Sequence, residues 1–127
     1  AGRGAVARIV LTLPEPRAAR MARALTQRGH GALRFAFAAL QPLTGLPGAR
    51  ALMADLARFD RVVFVSPTAI EVFADALKGG WPPGLAPAVV GPGSRAALAG
   101  RGGELHPGLL VPPGPAYDAE ALLALPA

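Results

Sequence analysis

The sequence predicts an α/β protein built on parallel sheets with flanking helices. Short apolar, β-branched runs alternate with segments in which apolar residues recur every three or four positions. This is the pattern of strands that are connected by helices. Gly and Pro, with 16 and 14 copies, cluster between these segments, as many short connections require. Parallel sheets of this kind are normally covered on both faces.

The first third of the chain predicts a strand–helix–strand unit. Residues 7–12 form an apolar run, residues 17–28 carry one apolar stripe, and Gly29 is a suitable helix stop. Residues 32–40 predict a second strand. Within it, the apolar residues Leu33, Phe35 and Phe37 occupy every second position, as is typical of a strand. Such a unit normally forms a parallel pair.

A Pro- and Gly-rich break at residues 41–48 is either an ordinary loop or an interdomain linker. Residues 49–58 after it predict a helix, and residues 61–65 predict a strongly apolar, buried strand. We expect this helix to face inward through Leu52, Met53 and Leu56.

The rest of the chain repeats the strand-to-helix pattern. A helix is predicted at residues 69–78, with Thr68 as its N-cap and Glu71 completing a capping box. A strand at 88–90 leads through the turn Gly91-Pro92-Gly93 into a helix at 94–99. We also expect a short strand at Leu105 and a final helix at 119–125, capped by Asp118.

Composition excludes several kinds of site. The chain has no cysteine and only two histidines, which rules out disulfides, thiolate metal sites and a His-rich metal site. The net charge of +5 favours an anionic partner, but a solvated surface accounts for it equally well. The sequence contains no apolar run of about 18 residues, so no membrane-spanning helix is expected. Residues 1–4 suggest a loose terminus, and the segment after them does not fit a signal peptide.

Ligands of open parallel sheets bind beyond the carboxyl ends of the strands. Three predicted loops lie there, at residues 12–17, 66–69 and 91–94. Helix N-termini in these loops suit carboxylates or phosphates, although Ser and Thr at such positions are more often simple caps. The Gly-Pro-Gly turn is neither a dinucleotide fingerprint nor a P-loop. His30 and His106 lack evident partners, so a hydrolase triad has little support.

Taken in order, four segments resemble the uroporphyrinogen-III synthase family. They read RIVLTLPEPRAARMARALTQRGH, DRVVFVSPTAIEVFADAL, AVVGPGSRAALAGRGGELHP and YDAEALLAL. The resemblance spans nearly the whole chain but only the N-terminal half of the family's length. We therefore expect these 127 residues to be inactive alone and, with apolar surface and strand edges exposed, to favour association. The complete enzyme is expected to be a monomer.

The resemblance implies a partial two-domain fold with flavodoxin-like sheets. On this basis residues 1–41 are the opening β–α–β piece of the first domain, and residues 42–48 are the interdomain linker. Residues 49–127 are the leading part of an inserted second domain.

The resemblance also implies a cofactor-free, metal-free cytoplasmic lyase of haem biosynthesis. It would close hydroxymethylbilane, a linear polycarboxylate, to uroporphyrinogen III with inversion of ring D and loss of water. No nucleic acid or membrane is implied as a partner. The family's often-proposed tyrosine proton donor would fall beyond Ala127, so no catalytic residue is assigned. The implied substrate-binding residues are Thr12, Arg17, Ser66, Pro67, Thr68, Gly91 and Ser94.

One departure from the family pattern favours an alternative. The first loop usually reads Thr-Arg-Pro, but here it is Thr12-Leu13-Pro14, which removes an expected carboxylate-binding arginine. Arg17, at the start of the next helix, is the candidate to replace it. The alternative function is a non-catalytic α/β module for ligand binding or protein interaction.

Overall fold

A computed structural model describes residues 5–126, so the predicted loose terminus at 1–4 lies outside the described residues. The chain divides into two compact units, the first running to Pro42 and the second starting at Leu43. Each unit contains a two-stranded parallel sheet, with one helix beside it in the first unit and several in the second. The predicted α/β class with parallel sheets and flanking helices is thereby confirmed.

The first unit is a β–α–β arrangement of β1 (Arg8–Leu11), α1 (Arg17–Gln27) and β2 (Gly31–Arg34). The strands pair in parallel, from Arg8 opposite Gly31 to Leu11 opposite Arg34. The apolar stripe of α1 buries Ala18 and half-buries Leu25. The predicted stop is confirmed: Gly29 has φ of 83°, a backbone conformation that glycine adopts without strain.

β2 is shorter than predicted. It ends at Arg34, and its last ladder bond runs from the Phe35 N–H to the Leu11 carbonyl at 2.8 Å. β1 ends at Leu11, so no partner strand continues the pairing beyond that bond. Phe35 and Phe37 are 55% and 78% exposed and pack against each other edge-to-face, with ring centroids 5.1 Å apart. Their alternation in sequence therefore did not extend the strand.

The second unit contains β3 (Arg61–Phe64) and β4 (Ala86–Val89), which pair in parallel. Leu110 adds one parallel bridge to Ala88 on the other side of β4. Two 3₁₀ turns, Leu56–Arg58 and Gly103–Leu105, are also present. The helices are α2 (Pro47–Ala54), α3 (Pro67–Ala76), α4 (Pro92–Ala97) and α5 (Ala119–Leu123).

The core of the second unit forms where α3 and α4 pack beside the sheet. Phe64, Ile70, Val89 and Leu98 are at most 4% exposed and form one cluster. Phe64, Phe73 and Trp81 add mutual aromatic contacts, with centroids 5.2 to 6.1 Å apart. All four residues of β4 are buried, so both faces of this strand are covered, as predicted. The other strands are not covered in this way: Val10 of β1, Leu33 of β2 and Val63 of β3 are all more than half exposed.

In the second unit, one predicted helix is shorter than expected and one predicted strand is wrong. The helix predicted at 49–58 ends at Ala54, and Leu56 belongs to a separate 3₁₀ turn. Leu52, Met53 and Leu56 therefore do not share one helical stripe, and Leu52 is 50% exposed. The predicted strand at Leu105 is a 3₁₀ turn in which Leu105 is 83% exposed. By contrast, Asp118 caps α5 as predicted, accepting the Ala121 N–H at 2.8 Å.

Candidate functional site

Two strand-to-helix loops of the second unit lie side by side. The register that pairs Phe64 with Val89 aligns the carboxyl ends of β3 and β4. The chain then enters α3 and α4, which pack against each other. A Cβ placed on Gly93 would stand 4.0 Å from Cγ of Pro67, so the two loops run close to each other. The structure thus brings together five of the seven predicted residues: Ser66, Pro67, Thr68, Gly91 and Ser94.

The loop after β3 is organised by Ser66. Ser66 is extended, with φ of −152° and ψ of 151°, and its Oγ accepts the Ala69 N–H at 3.2 Å. Pro67 occupies the first helical position, where its fixed φ and missing N–H suit a helix start. The predicted N-cap at Thr68 is therefore wrong. Thr68 lies inside the first turn and is half-buried.

The loop after β4 is built closely around Gly91. This residue is buried and extended, with φ of −169°, a backbone conformation that any residue adopts. Space is what requires glycine, because a Cβ here would stand 3.2 Å from Cβ of Tyr117. Ser94 follows in the first turn of α4 and is only 4% exposed. The residue is therefore almost completely enclosed by the surrounding chain.

A third segment, residues 114–118, borders this site and was missed by sequence reasoning. The Tyr117 side chain rests on Gly91 and reaches Gly114 with its hydroxyl end. Tyr117 is the single tyrosine of the chain, and it precedes the helix-capping Asp118. Its being the single tyrosine, placed before a helix cap, was the one signal in the sequence. The contact with Gly91 could not be predicted, because the two residues are far apart in the sequence.

Thr12 and Arg17, the other two predicted residues, belong to the first unit. Thr12 is exposed directly after β1, and Arg17 is exposed at the first position of α1. Arg17 helps to line an open groove of about 530 Å³ together with Leu13, Met21 and two further arginines. Glu15 in the same loop pairs with Arg34 at 2.7 Å. Arg34 thus engages the loop's carboxylate, while Arg17 faces the groove.

Among residues 5–126, no group of His, Asp and Glu is arranged to hold a metal ion. Within that same range, no helix is long and apolar enough to cross a bilayer. The polar atoms of the site are hydroxyls and backbone amides, which bind carboxylates by hydrogen bonds.

Sequence comparison identifies the family to which these loops belong. The family described as uroporphyrinogen-III synthase HemD matches residues 19–126, which include both loops of the second unit. The chain belongs to this family. Membership in the uroporphyrinogen-III synthase family implies, at the family level, a role in porphyrin and haem biosynthesis. It also implies a small-molecule tetrapyrrole substrate.

Proposed function

We propose that the protein is a uroporphyrinogen-III synthase, a lyase that cyclises hydroxymethylbilane with inversion of ring D. The observation that carries the proposal is the family match over residues 19–126. The adjacency of the two loops supports it, because the site residues that the resemblance implies in the second unit lie together. The proposed enzyme uses no cofactor, acts as a monomer and is cytoplasmic.

In the proposed reaction, the hydroxyl group of the linear tetrapyrrole takes up a proton and leaves as water. The electrophilic azafulvene that remains closes through a spiro intermediate, and loss of a proton restores the aromatic pyrrole. The role of the protein is to hold a flexible polycarboxylate in the curl that leads to inversion. Positioning of this kind contributes by removing conformational freedom before the chemical step.

The loops of the second unit supply donors for the substrate's carboxylates. Pro67 has no N–H and Ser66 occupies that of Ala69, so Thr68 provides the backbone donor of the first turn of α3. The hydroxyls of Ser66 and Thr68 add two more donors. Gly91 brings backbone close to the ligand, and Ser94 offers a hydroxyl to the substrate or to the departing water.

In the first unit, Thr12 and Arg17 are proposed to bind a further carboxylate. Leu13 removes the arginine of the family pattern, and Arg17 lies four positions later at the start of α1. Its guanidinium presents a planar fork of N–H donors that binds carboxylates bidentately. The division into an opening piece at 1–41, a linker at 42–48 and a second-domain piece at 49–127 also stays a proposal.

Cyclisation of enzymatically generated hydroxymethylbilane tests the function. The full-length protein should convert it to the type III isomer faster than the spontaneous reaction gives type I. Formation of type I alone would refute the enzymatic proposal. Calorimetric binding of a tetrapyrrole polycarboxylate without cyclisation would instead favour the non-catalytic module, for which the leucine at position 13 is the motivating observation.

A further inference from the structure

The Tyr117 side chain spans two glycines at the edge of the candidate site. A Cβ on Gly91 would stand 3.2 Å from Tyr117 Cβ and 3.4 Å from Cγ, at the root of the ring. A Cβ on Gly114 would stand 2.8 Å from Cζ and 2.5 Å from Oη, at the other end of the side chain. The two glycines therefore lie at opposite ends of the side chain.

Despite these contacts, Tyr117 is not a core residue. It is 49% exposed, whereas Phe64 in the nearby core is 4% exposed. Within residues 5–126, no hydrogen bond engages its hydroxyl. The hydroxyl end packs on Gly114, and this contact leaves the hydrogen-bonding capacity of the phenol unused.

The position of this phenol suits an anionic ligand. Gly91, beside the root of the ring, opens the turn that contains Gly93, and a Cβ on Gly93 would stand 4.0 Å from Pro67 Cγ of the neighbouring loop. Arg95, exposed in the same turn, donates its backbone N–H to the Gly91 carbonyl at 2.9 Å and adds a positive charge to this loop. A phenol donates well to carboxylate oxygens, and a half-exposed aromatic face packs against flat apolar rings.

We propose that Tyr117 is a substrate-contact residue whose hydroxyl donates a hydrogen bond to a carboxylate of the bound tetrapyrrole. The inference rests on the proposed function and extends it to a residue outside the implied substrate-binding set. The phenol and the hydroxyls of the two loops would then face one ligand from different segments. Tyr117 contributes ground-state binding of the substrate rather than proton transfer.

The test compares Tyr117→Phe with the unmodified full-length protein. Phenylalanine keeps the ring beside Gly91 and Gly114 and removes the hydroxyl, which is the atom nearest to Gly114. We expect KM to rise roughly threefold to tenfold, the range of one lost hydrogen bond, with kcat and the melting temperature unchanged. Thr26→Val removes an exposed hydroxyl in the first unit and should change none of these values.

Binding of uroporphyrin III, followed by fluorescence, separates the two proposals. If the unmodified protein neither cyclises the substrate nor binds this porphyrin, both proposals fail. If it cyclises the substrate and Tyr117→Phe has the same KM and the same porphyrin affinity, only the role of Tyr117 is overturned. A lower melting temperature for Tyr117→Phe with an unchanged KM also overturns it, because the hydroxyl would then be structural.

Discussion

The hydroxyl of Ser66 accepts the Ala69 N–H at 3.2 Å and thereby fixes the start of α3. Thr68, two residues later, lies inside the helix although it also has an acidic residue three positions downstream. The difference between the two hydroxyls is that Ser66 precedes a proline at the first helical position. Only the hydroxyl before that proline stands where an N-cap must be.

Replacement of Ser66 by alanine should therefore destabilise the chain by about 1 kcal/mol, the usual cost of losing an N-cap. Thr68→Ala is the matched control and should change stability by less than about 0.5 kcal/mol. Urea unfolding followed by Trp81 fluorescence measures both, since Trp81 is in contact with the core of the second unit. Equal losses in the two variants would contradict the assignment of the cap.

The contact between Gly91 and Tyr117 predicts a second effect on stability. Gly91→Ala places a methyl group 3.2 Å from Tyr117 Cβ, which forces the ring or the loop to shift. We expect a loss of no more than about 1 kcal/mol, the lower end of the range for overpacking, because the half-exposed Tyr117 side chain has room to move. The backbone of Gly91 is extended, so no conformational strain adds to it.

A double-mutant cycle identifies the cause of that loss. In a Tyr117→Ala background the added methyl meets no ring, and Gly91→Ala should then cost little. Denaturant midpoints of the four proteins give the coupling energy between the two positions. Additive losses would show that the clash is with another part of the loop.

Substitution of the almost completely buried Ser94 tests the proposed role of its hydroxyl. Ser94→Ala should lower kcat/KM for cyclisation by about tenfold if the hydroxyl binds the substrate or the departing water. Ser94→Thr keeps the hydroxyl and should retain activity. Both variants are checked for unchanged melting temperature, because Ser94 is only 4% exposed. Full activity of Ser94→Ala would remove this residue from the proposed site.

The sequence pattern was sufficient to predict those segments whose structure is determined by residues nearby in the sequence. The α1 stripe with its stop at Gly29 and the apolar run of β3 were predicted within a few residues of their observed bounds. Pro67, which places the N-cap at Ser66, is also visible in the sequence, whereas the acidic residue at position 71 favours a cap at Thr68.

Elements that depend on distant partners were not predictable in the same way. The alternation at Phe35 and Phe37 resembles a strand, but pairing stops where β1 ends. Likewise, Tyr117 lies beside Gly91 although the two residues are far apart in the sequence. Sequence placed both site loops at strand ends, whereas the third segment that borders them required the folded chain.

The last prediction concerns Glu104, whose side chain is held by the backbone of its own loop. Hydrogen bonding to the backbone N–H of Glu104 itself is the main cause that lowers its pKa below the ordinary value of 4.5. Desolvation opposes this shift, and the amides of Gly100, Gly102 and Arg101 reinforce it. Oε1 accepts the Gly100 N–H at 2.9 Å, and Oε2 is buried without a partner among the described residues.

A lowered pKa in the folded state means that the ionised carboxylate stabilises the fold. This contribution is complete above the ordinary pKa and is lost as the pH falls through the lower, folded-state pKa. Glu104→Gln removes the charge, so the variant should be less stable than the unmodified chain at neutral pH. The difference should shrink as the pH falls below the ordinary value of 4.5. Urea midpoints between about pH 7 and pH 3 measure it. Asp60→Asn, which removes an exposed carboxylate outside the helices, is the control. If the stability difference between Glu104→Gln and the unmodified chain does not change with pH, the substitution acts through packing geometry and not through the charge of the carboxylate.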